Sequence, residues 1–191
     1  AMDRDTLRTR AQFEWFLDDA PGTQEELLDR TVELVAGYWN AARVGIDRLR
    51  QTHRSDSRKD VPVVTSHGDT EAASIVRSFG VSKAGIPLFP LSETAIRRLA
   101  QERIVKGGTF VFIPRMIIQR LVLDILRMRD DFFCERFPSS ALDSTGQPVL
   151  NEVTLYVDSL ASHTAEAKQR TLRVLRWWQE DFNSLADLTR V

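Results

Sequence analysis

The chain has 191 residues, 42% hydrophobic and 28% charged, and its 26 basic and 27 acidic side chains give a formal net charge of −1. This near balance excludes an overall electrostatic attraction to nucleic acid or to an anionic membrane. No apolar stretch approaches the roughly 20 residues that cross a bilayer, so we expect a cytoplasmic globular protein without membrane contact. The single cysteine, Cys134, excludes an intrachain disulfide and a multi-cysteine metal site, and its context predicts a half-buried structural thiol.

The N-terminal part of the chain predicts helices. Residues 6–18, "TLRTRAQFEWFLD", have the apolar spacing of a short amphipathic helix. Thr23 followed by Glu26 fits a capping box, in which each residue accepts a hydrogen bond from the backbone of the other. Apolar residues then recur at helical spacing over 24–51, which predicts one long helix bent at one of its two glycines.

The middle of the chain is divided by turn signals. Residues 51–60, "QTHRSDSRKD", lack apolar periodicity and predict an exposed, mobile loop. A short edge strand over 61–65 and a helix over 69–79 are expected next. Ser92 is a suitable N-cap for a helix in "ETAIRRLAQERI". The glycine pair 107–108 then permits a turn before the extended stretch "TFVFI".

The C-terminal part returns to helical patterns. We expect a helix from Pro114 to about Arg129, further helices over 149–162 and 164–180, and a short helical tail. The predicted fold class is therefore mainly α, a multi-helix bundle with at most two short strands. We expect one of two organisations. The chain is either one compact domain or three parts: an N-terminal helical segment (1–60), a middle helical subdomain (61–140) and C-terminal helices (141–191).

No sequence motif supplies a complete active site. The P-loop pattern G-x-x-x-x-G-K-[ST], the dinucleotide pattern G-x-G-x-x-G, the zinc pattern H-E-x-x-H and the nucleophile pattern G-x-S-x-G are all absent. His53, His67 and His163 lie in separate polar segments without the spacing of metal ligands. We therefore predict no catalytic residue, no metal site and no cofactor that this stretch of chain binds alone.

Arg115 lies where a negatively charged partner would be stabilising. In "GGTFVFIPRMIIQRL", residues 107–121, Pro114 opens a helix and Arg115 lies in its first turn. The start of a helix carries partial positive charge, so an exposed arginine there is unfavourable by about 0.3 to 1 kcal/mol unless an anion meets it. The partner is either a bound anion or a carboxylate, such as that of Glu93 or Asp124. The third alternative is that Arg115 is simply exposed to solvent.

Three motifs around this arginine resemble a known family: "LFPLSETAIRRLA" (88–100), "FIPRMIIQRLVLDIL" (112–126) and "ERFP" (135–138). They are similar to the helical lid that follows the nucleotide-binding core in AAA+-type P-loop ATPases. The similarity is greatest to large bacterial defence ATPases, those of phosphorothioation-dependent DNA restriction (DptF-like) and of phage exclusion. In that family one lid helix has the "PLSEEAL" form and a second begins with "PR".

The resemblance implies a function for Arg115 as the nucleotide-binding residue called sensor 2, which contacts the γ-phosphate and couples lid angle to nucleotide state. It also implies that 61–140 is a lid-like subdomain of a larger parent ATPase acting in DNA restriction or antiviral defence. ATP and Mg²⁺ would be bound only in that parent, so the fragment alone would be inactive. The implied partners are the upstream nucleotide-binding core and other subunits of a defence complex, with DNA contacted only indirectly.

The C-terminal stretch "TLRVLRWWQEDF" supports a second hypothesis, a non-enzymatic helical module for protein interaction. Tryptophans next to arginines can stack on nucleic-acid bases or bind a partner protein. The same spacing is also typical of a stripe that faces the core, and the near-zero net charge favours the core interpretation over base stacking. In this hypothesis a partner protein binds the tryptophan-rich helix or the long N-terminal helix.

Overall fold

The computed structural model describes residues 22–55, 62–64, 70–134, 136–142, 151–160 and 164–178. Over these residues the fold is mainly helical with one two-stranded antiparallel sheet, which confirms the predicted fold class. The helix predicted over 6–18 and the tail beyond Trp178 lie outside the described residues. None of the helices described here has the length and apolar character needed to span a bilayer.

The first described helix, α1, is Gln24–Val44, and it begins with the predicted capping box. The backbone N–H of Thr23 donates to Oε2 of Glu26 (2.9 Å), and the N–H of Glu26 donates to Oγ1 of Thr23 (3.3 Å). Gly45, at a φ of +83°, ends α1 in a conformation that favours glycine. The second helix, α2 (Ile46–Ser55), follows at once, so the single helix predicted over 24–51 is two helices.

The prediction of a loop over 51–60 is wrong for 51–55, which belong to α2. Residues 56–60 lie outside the described part of the chain. Local hydrogen bonds extend this helix without an apolar face. The N–H of Leu49 donates to the carbonyl of Gly45 (3.1 Å), and the hydroxyl of Thr52 donates to the carbonyl of Arg48 (2.9 Å). Once a helix is nucleated, each added residue gains one backbone hydrogen bond, so apolar periodicity is not required.

The edge strand predicted over 61–65 is not formed at 62–64, and its two end residues lie outside the described part. The side chain of Asn40, buried on α1, binds this backbone instead. Its amide nitrogen donates to the carbonyl of Pro62 (3.1 Å), and its oxygen accepts from the N–H of Val64 (2.9 Å). Because a side chain satisfies these groups, the segment needs no neighbouring strand.

The next helices, α3 (Thr70–Ser78) and α4 (Glu93–Arg103), agree with the prediction. The hydroxyl of Ser92 accepts from the N–H of Ala95 (3.2 Å), which confirms Ser92 as the N-cap of α4. A hairpin of β1 (Val105–Lys106) and β2 (Thr109–Phe110) follows.

Residues 105 and 106 of this hairpin pair with 110 and 109 respectively. Gly107 and Gly108 form its turn at φ values of +62° and +82°. Left-handed conformations at both central positions are the reason that glycine is required here.

The helix predicted from Pro114 to Arg129 is present but is not a uniform α-helix. It consists of α5 (Pro114–Ile117), a π-helical stretch (Ile118–Leu123) and α6 (Asp124–Arg127). We refer to these residues together as the 114–127 segment. A π-helix within an α-helix is rare and is frequently found at functional sites. The remaining elements are α7 (Arg129–Phe133), a 3₁₀ turn (Ser140–Leu142), α8 (Asn151–Ser159) and α9 (Ala165–Trp178).

The main hydrophobic core lies between α1, α4 and the 114–127 segment, and Leu142 and Trp177 also pack into it. A smaller cluster of Val153, Val157 and Leu175 holds α8 against α9. Helix α9 contributes Leu175 to the smaller cluster and Trp177 to the main core. It therefore connects α8 to the main core. Residues of all three sequence regions therefore contribute to the same core.

An ion-pair network fastens α1 to α4 at the surface. The carboxylate of Asp29 on α1 accepts hydrogen bonds from Lys83 and from Arg97 of α4, and Arg97 also pairs with Glu93 (2.8 Å). The hydrogen bond from Lys83 is the main cause that lowers the pKa of Asp29 below its ordinary value. Asp29 is therefore ionised in the folded protein at lower pH than a free aspartate.

Candidate functional site

Arg115, the predicted nucleotide-binding residue, lies in α5 with an exposed side chain. No carboxylate, hydroxyl or carbonyl in the described ranges accepts a hydrogen bond from its guanidinium. The N-cap, Ile113, provides no side-chain hydrogen bond to the start of α5 either. The partial positive charge of the helix start and the charge of Arg115 are thus adjacent and uncompensated by this part of the chain.

The two carboxylates considered as partners of Arg115 bind other arginines. Glu93 pairs with Arg97, four residues along α4 (2.8 Å), and Asp124 pairs with Arg127, three residues along (3.1 Å). An intramolecular ion pair of Arg115 with either carboxylate is therefore not formed. A bound anion and simple exposure to solvent remain as the alternatives for Arg115.

The backbone below Arg115 is firmly held. Ile117 and Leu121 are fully buried, and Val122 and Ile125 are nearly so. This apolar stripe packs against α1 and α4, the two helices that form the main core with it. The side chain of Arg115 therefore extends from a rigid element, which is what positioning a charged group requires.

The tryptophans of α9 belong to the core. Trp177 is 1% exposed, and its indole N–H donates to the carbonyl of Leu142 (3.0 Å). Trp178 is half-buried, and its indole N–H donates to the carbonyl of Pro90 (2.9 Å). With both polar atoms bound to the backbone, these rings are structural, as the core interpretation predicts, and are not available to stack on bases.

The predicted environments of Cys134 and of the histidines have different outcomes. Cys134 is exposed and not half-buried, because it lies in the turn that ends α7 on the protein surface. His53 is exposed on α2, whereas His67 and His163 lie outside the described residues. Within the described ranges, no three histidine, cysteine or acidic side chains lie close enough together to hold a metal ion.

A cavity of about 370 Å³ opens beside the C-terminal end of α1, and the sequence did not predict it. Its walls come from α1, the 87–90 turn, α6, α7 and Phe137, with Val64 and Val76 completing them. Phe132 makes edge-to-face contacts with Phe89 (5.5 Å between centroids) and Phe137 (5.9 Å). The cavity is thus lined mainly by aromatic and aliphatic side chains.

The cavity has three polar groups at its border. Trp39 is 3% exposed, and its indole nitrogen, which is buried, has no hydrogen-bond acceptor in the described structure. Arg43 donates to the carbonyls of Pro87 (2.9 Å) and Phe89 (2.6 Å). The guanidinium of Arg129 lies over the ring of Phe133, 5.3 Å from its centroid. Both arginines are cations next to apolar walls.

Burial lowers the pKa of the Arg43 guanidinium from its ordinary value. Removing a cation from water has this effect when no carboxylate compensates the charge. Carbonyl partners satisfy hydrogen bonds but leave the net positive charge in place. None of the described residues that line the cavity is acidic.

The sequence did not predict the cavity because no local pattern of residues indicates it. Trp39 and Phe89 are far apart in the chain, and Phe132 lies in "DDFFCERF", which we interpreted only around its cysteine. The one usable signal was the pair of consecutive phenylalanines in that stretch, of which Phe133 is 69% exposed. Large exposed aromatic side chains next to each other often mark a binding surface.

No protein-family model, curated protein or solved structure significantly matches this chain.

Proposed function

We propose that this chain is the helical lid and C-terminal region of a larger P-loop ATPase, cytoplasmic and acting in bacterial DNA restriction or antiviral defence. In this proposal Arg115 contacts the γ-phosphate of an ATP held, with Mg²⁺, by an upstream core of the same parent chain. The fragment hydrolyses nothing alone. The upstream core and other subunits of a defence complex are its partners, and DNA is contacted only through them.

The observation that carries this proposal is the free guanidinium of Arg115 on a rigid helical segment. It is exposed, and neither Glu93 nor Asp124 neutralises it. An arginine fork binds phosphate oxygens in bidentate fashion, and a lid arginine is worth most when charge develops on the transferred phosphoryl group. The quoted motifs in 88–126 supply the second support, because they resemble the two lid helices of AAA+ proteins.

The test is the ATPase rate of the natural full-length chain that contains these residues, in wild-type form and as Arg115→Ala. We expect the substitution to lower the rate at saturating ATP by about 10- to 1,000-fold, the range over which one arginine at the γ-phosphate acts. Arg120→Ala is the matched control, since Arg120 is also exposed and lies in the same 114–127 segment. The control should leave the rate within about twofold. A parent chain without ATPase activity would refute the proposal.

A second proposal, a non-enzymatic helical interaction module, is favoured by the exposed apolar side chains around the cavity. Phe133 is 69% exposed and Leu126 is 44% exposed, and both line the cavity. Adjacent exposed apolar groups of this size commonly mark binding surfaces. The tryptophan rings of α9 do not line this surface, because Trp177 is buried and Trp178 is half-buried against the core. If the full-length chain lacks ATPase activity, this second proposal replaces the first.

A further inference from the structure

We propose that the cavity beside α1 is a binding site for a small amphipathic carboxylate, a molecule with one anionic end and an apolar body of about ten carbon atoms. The site lies around Trp39, Arg43 and Arg129, away from Arg115, and the inference holds whichever proposed function is correct. It rests on the shape of the cavity, its charge and one unsatisfied donor.

The size and lining of the cavity indicate the apolar body. A volume of about 370 Å³ lies at the small end of the ~300 to 1,000 Å³ found for small-molecule sites. Phe89, Phe132 and Phe137 form one wall of edge-to-face rings, and Ile125 and Leu126 lie on the 114–127 segment opposite α1. Walls of this kind favour a short alkyl or aromatic body and disfavour a sugar or a nucleotide, whose polar groups would remain unpaired.

The charge at the border of the cavity indicates the anionic end. Arg43 and Arg129 both line it, no acidic side chain does so in the described part of the chain, and Arg43 is half-buried. A carboxylate compensates a partly desolvated arginine and forms strong charge-assisted hydrogen bonds with it. A more highly charged phosphate would bring a larger desolvation penalty into these apolar walls.

Trp39 provides the third indication. Buried indole N–H groups almost always have an acceptor, and one without an acceptor needs an explanation. Trp39 borders the cavity and is only 3% exposed. Its Nε1 has no partner among the described residues. Because Nε1 itself is closed off from the cavity, a bound molecule lies against the Trp39 ring, and a carboxylate oxygen would supply the acceptor after a small rotation of that ring.

The experiment uses the 191-residue chain, titrated with decanoate below its micelle concentration and observed by calorimetry and by the indole N–H signals in NMR. We expect saturable binding of one decanoate per chain, at least tenfold tighter than 1-decanol, which has the same body without the charge. The indole N–H of Trp39, assigned with Trp39→Phe, should shift on binding, and that of Trp177 should not. Equal affinity for the two ligands, or an unmoved Trp39 signal, would overturn the proposal.

Three variants make the test specific. Arg129→Met removes the charge but keeps an apolar stem, and it should weaken decanoate binding about tenfold with little effect on decanol. Arg120→Met is the matched control outside the cavity and should change neither affinity. Ala42→Phe adds bulk at an exposed position of the cavity wall and should abolish binding of both ligands while circular dichroism is unchanged. An Arg129→Met variant that binds decanoate as tightly as wild type would contradict the assignment.

A final experiment tests whether a segment of the chain itself occupies the cavity. A version ending at Trp178 lacks residues 179–191, which include Phe182 with Glu180 and Asp181. Trp178, the last described residue before them, contacts Phe137, a cavity residue. Our proposal predicts the same decanoate affinity with and without them. A gain of more than tenfold on truncation would identify the chain's own C-terminal segment as the occupant and overturn the small-molecule assignment.

Discussion

Two buried tryptophans, Trp39 and Trp177, show how the two sides of this molecule differ. Trp177 is 1% exposed and its indole N–H donates to the carbonyl of Leu142. Trp39 is 3% exposed, but its indole N–H has no acceptor in the described structure and its ring borders a cavity. Similar burial therefore accompanies a complete polar environment at one site and an incomplete one at the other. The incomplete site is the better indication of a ligand.

The largest expected effect is at Trp177, whose indole N–H has its acceptor. Trp177→Ala removes a large, fully buried ring and leaves the carbonyl of Leu142 without its donor, so it should lower the free energy of unfolding by about 3 to 5 kcal/mol. Urea denaturation followed by circular dichroism measures this change. Val174→Ala in the same helix is the control; Val174 is 38% exposed, and its loss should cost less than about 1 kcal/mol. Comparable losses for the two variants would show that Trp177 is not a core residue.

A matched pair of substitutions tests the comparison itself. Trp177→Phe and Trp39→Phe remove the same atoms, but only the first removes a hydrogen bond. We expect Trp177→Phe to lower the free energy of unfolding by about 1 to 2 kcal/mol more than Trp39→Phe, the usual penalty for an unsatisfied buried acceptor. Equal losses would mean that Trp39 is hydrogen-bonded in solution.

Two glycines of α1, Gly45 at its C-terminal end and Gly37 in its interior, should respond in opposite ways to substitution by alanine. Gly45→Ala should lower the free energy of unfolding by about 1 to 2 kcal/mol, because its φ of +83° is unfavourable for other residues. Gly37→Ala should raise it by about 0.5 to 1 kcal/mol, since Gly37 is helical, exposed and has no atom near an added Cβ. Thermal unfolding of both variants gives the signs. If Gly45→Ala stabilises the protein, the break between α1 and α2 is absent in solution.

The smallest effect concerns pH, at the ion-pair network that links α1 to α4. Because the pKa of Asp29 is lower in the folded state than in the unfolded state, its stabilisation is present above the ordinary aspartate pKa of about 3.9 and is lost as pH falls below it. Asp29→Asn should therefore reduce the drop in unfolding midpoint between pH 6 and pH 3. Asp47→Asn is the control, because its side chain is 97% exposed and 3.9 Å from Arg50. An unchanged pH profile for Asp29→Asn would show that Lys83 and Arg97 do not hold this carboxylate in solution.

Local features of the sequence were sufficient for much of the fold. The N-caps Thr23 and Ser92 and the glycine turn at 107–108 depend on neighbouring residues alone, so the sequence predicts them correctly. The helix end at 51–55 was missed because these residues have no apolar side chains and so lack the periodicity from which helices were predicted. The π-helical stretch within 114–127 was missed because its apolar spacing is indistinguishable by eye from that of an α-helix.

The candidate sites differ in the same way. Arg115 was identified because a proline and an arginine at the start of a helix form a local, recognisable pattern. The cavity was not identified, because it assembles Trp39, Phe89 and Phe132 from distant parts of the chain. Its unsatisfied indole is a property of three-dimensional packing, which residue spacing does not record.

The measurement that tests the central claim most directly is the ratio of ATP to ADP affinity in the natural full-length chain, before and after Arg115→Ala. If Arg115 contacts the γ-phosphate, wild type should bind ATP more tightly than ADP, and the substitution should reduce that preference about tenfold or more while ADP affinity changes little. A parent chain that binds no nucleotide, or an ATP-to-ADP ratio that is the same in both proteins, would contradict the assignment of Arg115 as the phosphate-sensing residue.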